Sequence, residues 1–143
     1  MLRGTSRAAL RDRAERADAT PVACAIAASG TPVLRFDDPD DGTAYAYSLF
    51  VPAEASRLFP CIDRPDAKAR FTLRLTLPPG WTAVSCGEGS RADDGSIAFA
   101  PTPPLPTYAF GFAAGPFAVI EEAAPGTPPM RAYVRRSQAD RVA

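Results

Sequence analysis

The chain has 143 residues, 46% of them apolar, enough for one domain with a real core. Sixteen basic residues balance sixteen acidic ones, giving zero formal net charge. Binding driven by counterion release needs a basic surplus, so neither nucleic acid nor an anionic membrane is expected as a partner.

Histidine is absent. That removes the commonest general base and the commonest zinc ligand, so no Ser-His-Asp or Cys-His site can be built from this chain alone. Cys24, Cys61 and Cys86 form no CxxC pair. They read as small buried or half-buried thiols, with a Cys61–Cys86 bridge as the alternative. The apolar run Val22–Ala28 is too short to span a bilayer. The first twenty residues carry Asp12, Glu15 and Asp18 and no long apolar core. No secretory signal is therefore expected, and a cytoplasmic location is favoured.

Residues 5–19 have helix-forming composition, but their apolar face is little more than Leu10 and alanines. They predict a short surface helix or a poorly ordered leader. Val33–Phe36 predicts a short strand, and Phe36–Gly42 an acidic, solvated turn without the spacing of a calcium loop. Thr43–Val51 predicts a strand with Tyr45, Tyr47, Leu49 and Val51 on one face. In Phe71–Leu77, Phe71, Leu73, Leu75 and Leu77 alternate with polar residues, the period of a half-buried antiparallel strand, and Pro78-Pro79-Gly80 ends it. Trp81–Ser85 and Ser96–Ala100 predict further strands around a glycine-rich loop, Cys86–Gly95. The prolines at 101, 103, 104 and 106 predict an extended connection. Thr107–Ala114 and Phe117–Glu122 predict a hairpin around Gly115-Pro116, and Met130–Arg135 a last strand. Short strands at regular spacing, with sixteen prolines among them, predict an all-β, antiparallel β-sandwich.

The densest stretch is Leu49–Phe71. Glu54, Asp63 and Asp66 are interleaved there with Arg57, Arg64, Lys68 and Arg70, which reads as a salt-bridged turn pinning two strands. Arg57 has two candidate acceptors, the Asp63 carboxylate or backbone carbonyls. Leu58 and Phe59 are expected beneath the turn, in the core.

The run Arg57-Leu-Phe59-Pro60-Cys61-Ile-Asp63-Arg-Pro65-Asp-Ala-Lys68-Ala-Arg-Phe71 resembles the hallmark of the aminopeptidase N family of zinc metallopeptidases. Trp81–Ser85 is similar to a family segment ending Val-Ser-Asn, with Cys86 replacing the asparagine. Thr102–Tyr108 through Gly115-Pro116-Phe117, and then Met130–Arg136, resemble later family segments in the right order.

The resemblance implies the saddle-shaped N-terminal β-sandwich of such an enzyme, seated on a zinc-bearing catalytic domain whose cleft it helps to wall. Residues 1–32 would be a leader, 33–136 the sandwich, and 137–143 a truncated linker toward an absent catalytic domain. Arg57, Phe59, Pro60, Cys61, Asp63, Pro65, Lys68 and Phe71 would be structural. The zinc motif H-E-x-x-H and the G-A-M-E-N exopeptidase motif are not in this chain. It is therefore expected to bind no zinc, to cleave nothing alone, and to meet peptide substrate only indirectly. Many members carry a glutamine and a glutamate that hold the substrate's free amine. Leu49 and Val51 stand at those two positions, and an apolar side chain cannot accept a hydrogen bond from an ammonium. The runner-up is a stand-alone interaction or scaffold module that kept the sandwich and lost the enzyme.

Overall fold

The structure is a computed structural model and describes residues 26–142 apart from 124 and 127. The helix or leader expected over 5–19, and Cys24, lie outside the described residues. The largest sheet runs in the order β1 (Ile26–Ala27), β2 (Val33–Asp37), β3 (Ala44–Ser48), β10 (Phe112–Gly115), β6 (Thr82–Ser85). A second has the order β5 (Leu73–Leu75), β8 (Ile97–Phe99), β7 (Gly89–Arg91). Two small ladders pair β4 (Lys68–Ala69) with β9 (Leu105–Pro106), and β11 (Ala118–Glu122) with β12 (Met130–Val134). Every pairing is antiparallel except β1 with β2. Helical structure among the described residues is confined to three 3-10 segments, Ala55–Arg57, Thr107–Ala109 and Arg136–Arg141.

The two larger sheets pack face to face. Ala83 of β6 and Ala114 of β10 meet Ile97 and Phe99 of β8, with Leu73, Leu75, Leu77 and Trp81 around them. The alternation read in Phe71–Leu77 is the alternation of burial seen there: the odd positions are half-buried and the even ones exposed. Covering each such Leu or Phe contributes up to about 1.5–3 kcal/mol, which is why a three-residue ladder suffices to hold β5. The molecule is an all-β sandwich. No helix among the described residues is long and apolar enough to cross a membrane.

Several local expectations are corrected. The strand expected over Thr43–Val51 ends at Ser48, and the shared face ends with it. Tyr45 is fully buried, whereas Leu49 and Val51 are exposed and Phe50 between them is buried. Thr107–Ala114 and Phe117–Glu122 are not partners. β10 instead lies between β3 and β6, with Ala114 opposite Ala46 and Ala83, while β11 pairs with β12. The glycine-rich loop contains β7, where a Cβ on Gly89 would stand 2.8 Å from the Phe99 ring, so the strand needs a glycine there. The proline connection contributes β9, which pairs Lys68 with Pro106.

The acidic turn Phe36–Gly42 is not wholly solvated. Gly42, at φ +69°, lets the chain reverse, and Asp41 accepts hydrogen bonds from the Thr43 amide and hydroxyl. Asp38, however, is buried and faces inward.

Candidate functional site

The stretch between β3 and β5 is built on phenylalanines. At the end of β3 the Ser48 hydroxyl accepts from the Phe112 amide (2.7 Å) and the Leu49 amide donates to the Pro32 carbonyl (2.9 Å). The chain then turns through a cis Val51–Pro52 peptide into the Ala55–Arg57 segment. Phe50 drops inward and stacks on Phe110, with centroids 6.2 Å apart and planes at 14°. Phe110 stacks in turn on Phe71 at 4.5 Å. Phe59 closes the set edge-on to both Phe50 and Phe71. Ala55, Leu58 and Cys61 fill the remaining sides. This second core lies directly beneath the charged turn.

Asp63 ties the turn down. Its carboxylate accepts from the Thr107 hydroxyl (2.6 Å) and from the Ser56 amide (3.1 Å), joining the turn to the segment before β10. These donors, the Thr107 hydroxyl foremost, hold its carboxyl below the usual carboxylate range. Of the two acceptors open to Arg57, the structure uses backbone together with a different carboxylate. Its guanidinium donates to the Gly30 carbonyl (2.7 Å) and pairs with Glu54, leaving Asp63 to other donors. Arg64 pairs with Asp66 in the open (2.9 Å), a contact worth little in water. Pro65 and Lys68 are exposed, Lys68 standing in β4. The Phe71 amide donates to the Thr102 hydroxyl (3.0 Å), and the Thr102 amide returns a bond to the Phe71 carbonyl (3.0 Å).

Cys61 and Cys86 are free thiols, not a bridge. Burial pushes the Cys61 thiol up, and Asp63 adds to the shift, so it is a poor nucleophile. No group of three or more His, Cys, Asp or Glu side chains among the described residues is placed to hold a metal, and the chain has no histidine. These residues do not fit zinc.

The turn's partners are not legible in the sequence. Thr107, Thr102 and Ser56 carry no signal of their own, because a hydroxyl's role depends on what lies opposite. Several large side chains of this stretch and of the Thr107–Ala109 segment have little cover. Leu49 is 52% exposed, Val51 55%, Ile62 60% and Tyr108 42%. Leu49 and Val51 flank the buried Phe50. Ile62 and Tyr108 adjoin the Asp63–Thr107 bond.

The model of the peptidase M1 N-terminal domain matches residues 32–109, more than half of the chain. The chain belongs to that family. The matched residues include the bonded turn, its phenylalanines through Phe71, and Thr107. Among relatives of the M1 N-terminal domain, aminopeptidase N of Streptomyces lividans is 35% identical over 94 residues, covering 66% of this chain and 11% of the relative. Aminopeptidase N of Acetobacter pasteurianus is 37% identical over 86 residues, 55% of this chain and 24% of the relative. The rat aminopeptidase N is 34% identical over 95 residues, 62% of this chain and 10% of the relative. The chain spans a quarter or less of each of these proteins.

The depressed Asp63 carboxyl predicts an acid dependence. A folded-state pKa below the unfolded value of about 3.9 stabilises the fold above that pH, and the gain is lost as pH falls through the folded value. Thr107→Val removes the leading cause. Its urea midpoint should fall furthest below wild type at pH 6–7, and the gap should narrow below about pH 4. A gap that stays constant from pH 3 to 7 would show that Asp63 is not the group involved.

Proposed function

We propose that this chain is the non-catalytic N-terminal sandwich of an M1 aminopeptidase, which removes N-terminal residues from peptides. Its part is to seat the catalytic domain and to shape one wall of the substrate cleft. The observation that carries this reading is the exposure of Leu49 and Val51 on either side of the buried Phe50, and of Ile62 and Tyr108 next in sequence to the bonded pair Asp63–Thr107. Apolar side chains held on a rigid base suit contact with another protein surface. Zinc, held by ligands in the catalytic domain, would activate water for hydrolysis, and this chain would supply none of those ligands. With Leu49 and Val51 at the amine-anchor positions, the sandwich would contribute shape to the cleft rather than charge. Arg57, Phe59, Pro60, Cys61, Asp63, Pro65, Lys68 and Phe71 would act structurally, by holding this face in place.

The purified chain is expected to show no aminopeptidase turnover, and chelator-sensitive turnover would overturn the reading. An M1 catalytic domain supplied in trans should bind it, and Leu49→Asp with Val51→Asp should weaken that binding at least about tenfold, the cost of burying unpaired carboxylates. Binding indifferent to both substitutions would rule out this face. The apolar pair at 49 and 51 also suits a stand-alone interaction module derived from the family. The reading frame beyond Ala143 separates the two: an in-frame H-E-x-x-H supports the enzyme, and a stop codon supports the module.

A further inference from the structure

The hairpin of β11 and β12 pairs with no other strand among the described residues. A two-stranded hairpin alone is marginal in water, so its placement depends on side chains. One set is aromatic. Phe117, just before β11, lies 5.0 Å from Tyr45, 6.3 Å from Tyr47 and 6.3 Å from Tyr133, ring centre to ring centre.

The other set is polar and gathers on the turn between β2 and β3. Asp38 has its backbone amide on the Thr43 carbonyl (2.8 Å), and one carboxylate oxygen accepts from the Asp40 amide (3.0 Å). Its second oxygen accepts from the Arg135 guanidinium (3.1 Å) and the Ser137 hydroxyl (2.8 Å). Arg135 also lies over the Phe36 ring, 4.5 Å from its centroid. Between these residues the Arg136 amide donates to the Tyr45 hydroxyl (3.0 Å). The Asp38 side chain is 1% exposed and that of Arg135 33%. The neighbouring pair Arg35–Asp37 is open to water, at 57% and 65%. Two adjacent aspartates therefore have unlike situations, and only the buried one reaches across 97 residues of sequence.

We infer that Asp38 is the catch of a latch that holds residues 135–137 against the β2–β3 turn and so fixes the direction in which the chain leaves the sandwich. Release of the catch frees the segment without dismantling either large sheet, because neither sheet pairs with it. Resting on the reading proposed above, the latch would position the catalytic domain that follows; the contact itself stands within this chain and can be tested there.

Trypsin provides the test, since Arg135 and Arg136 lie inside the latch. The whole chain is digested briefly and the fragments are weighed by mass spectrometry, with cleavage after Arg70 and Arg74, both exposed and neither followed by proline, as internal references. Asp38→Ala should accelerate cleavage after Arg135 and Arg136 at least about tenfold over the references, since a bond to a charged group is removed. Asp37→Ala should leave it unchanged. Ser137→Ala and Tyr45→Phe each remove one hydrogen bond and should accelerate it about three- to tenfold. These two variants decide the matter if Asp38→Ala unfolds the whole sandwich. Unchanged cleavage in both, relative to the references, overturns the latch. No catalytic domain enters the experiment, so failure of the docking reading leaves its outcome untouched.

Discussion

Phe110→Ala should remove about 3–5 kcal/mol of folding stability, the usual cost of emptying a core aromatic site. Phe110 is 8% exposed and lies between Phe50 and Phe71, stacked on both. Its loss takes contact area from two rings at once, and Phe59, which reaches both edge-on, cannot move into the gap without leaving them. Domains of this size hold about 5–15 kcal/mol in total, so the variant would keep only part of its margin. A thermal midpoint lower by roughly 10–20 °C is expected. Phe110→Leu, which refills most of the volume, should lose less than half as much. If calorimetry gave equal small losses for the two, the stack would be incidental to stability.

Gly115→Ala should cost about 1–3 kcal/mol by overpacking. Gly115 does not owe its place to a left-handed backbone; it is needed for space. An added Cβ would land within the van der Waals surface of the Tyr45 ring, which is fully buried. That ring cannot swing aside freely, because it packs on Phe117 and its hydroxyl holds the Arg136 amide. The substitution should therefore also loosen the contact between Tyr45 and Arg136, whose partners are 91 residues apart in sequence. Hydrogen exchange would show it as faster exchange at the Arg136 amide than at β6. Uniform acceleration across the sheet would mean that the damage is global instead.

The amino-acid sequence makes legible what local pattern dictates. The period-two burial of Phe71–Leu77 follows from the pleat, and the proline and glycine punctuation sets strand ends. Partner choice is not legible in the same way. Alternation states which face of a strand is wet but not which strand lies beside it, so sequence alone pairs β10 with its neighbour in the chain, when its real neighbours are β3 and β6. The same limit explains Asp38. In FDDPDDG it is one acid among four, and nothing nearby separates it from Asp37, because Arg135 and Ser137 lie 97 and 99 residues away. Parity puts Leu49 and Val51 on the face of Tyr45 and Tyr47, but parity fails once the chain turns after Ser48. In the candidate site, the chemistry of the exposed apolar residues is readable from their identity, and their exposure is not. Spacing leaves Cys61 and Cys86 open between bridge and thiol, and only three-dimensional placement resolves them as thiols.

The position of β10 bears on how the chain is made as well as on how it stands. It is the strand through which β3 and β6 belong to one sheet, yet it is synthesised after both. As the chain emerges, β3 and β6 present unpaired edges, and some 64 residues separate Ser48 from its partner Phe112. Closing so long a loop is slow relative to local turn formation, which places the sandwich among late-closing, high-contact-order folds. During that interval the nascent chain carries open strand edges and an unfilled phenylalanine site awaiting Phe110. A chaperone or an early-docking partner would have most to protect at that stage, and substitutions that slow delivery of Phe110–Gly115 should appear first as lower soluble yield.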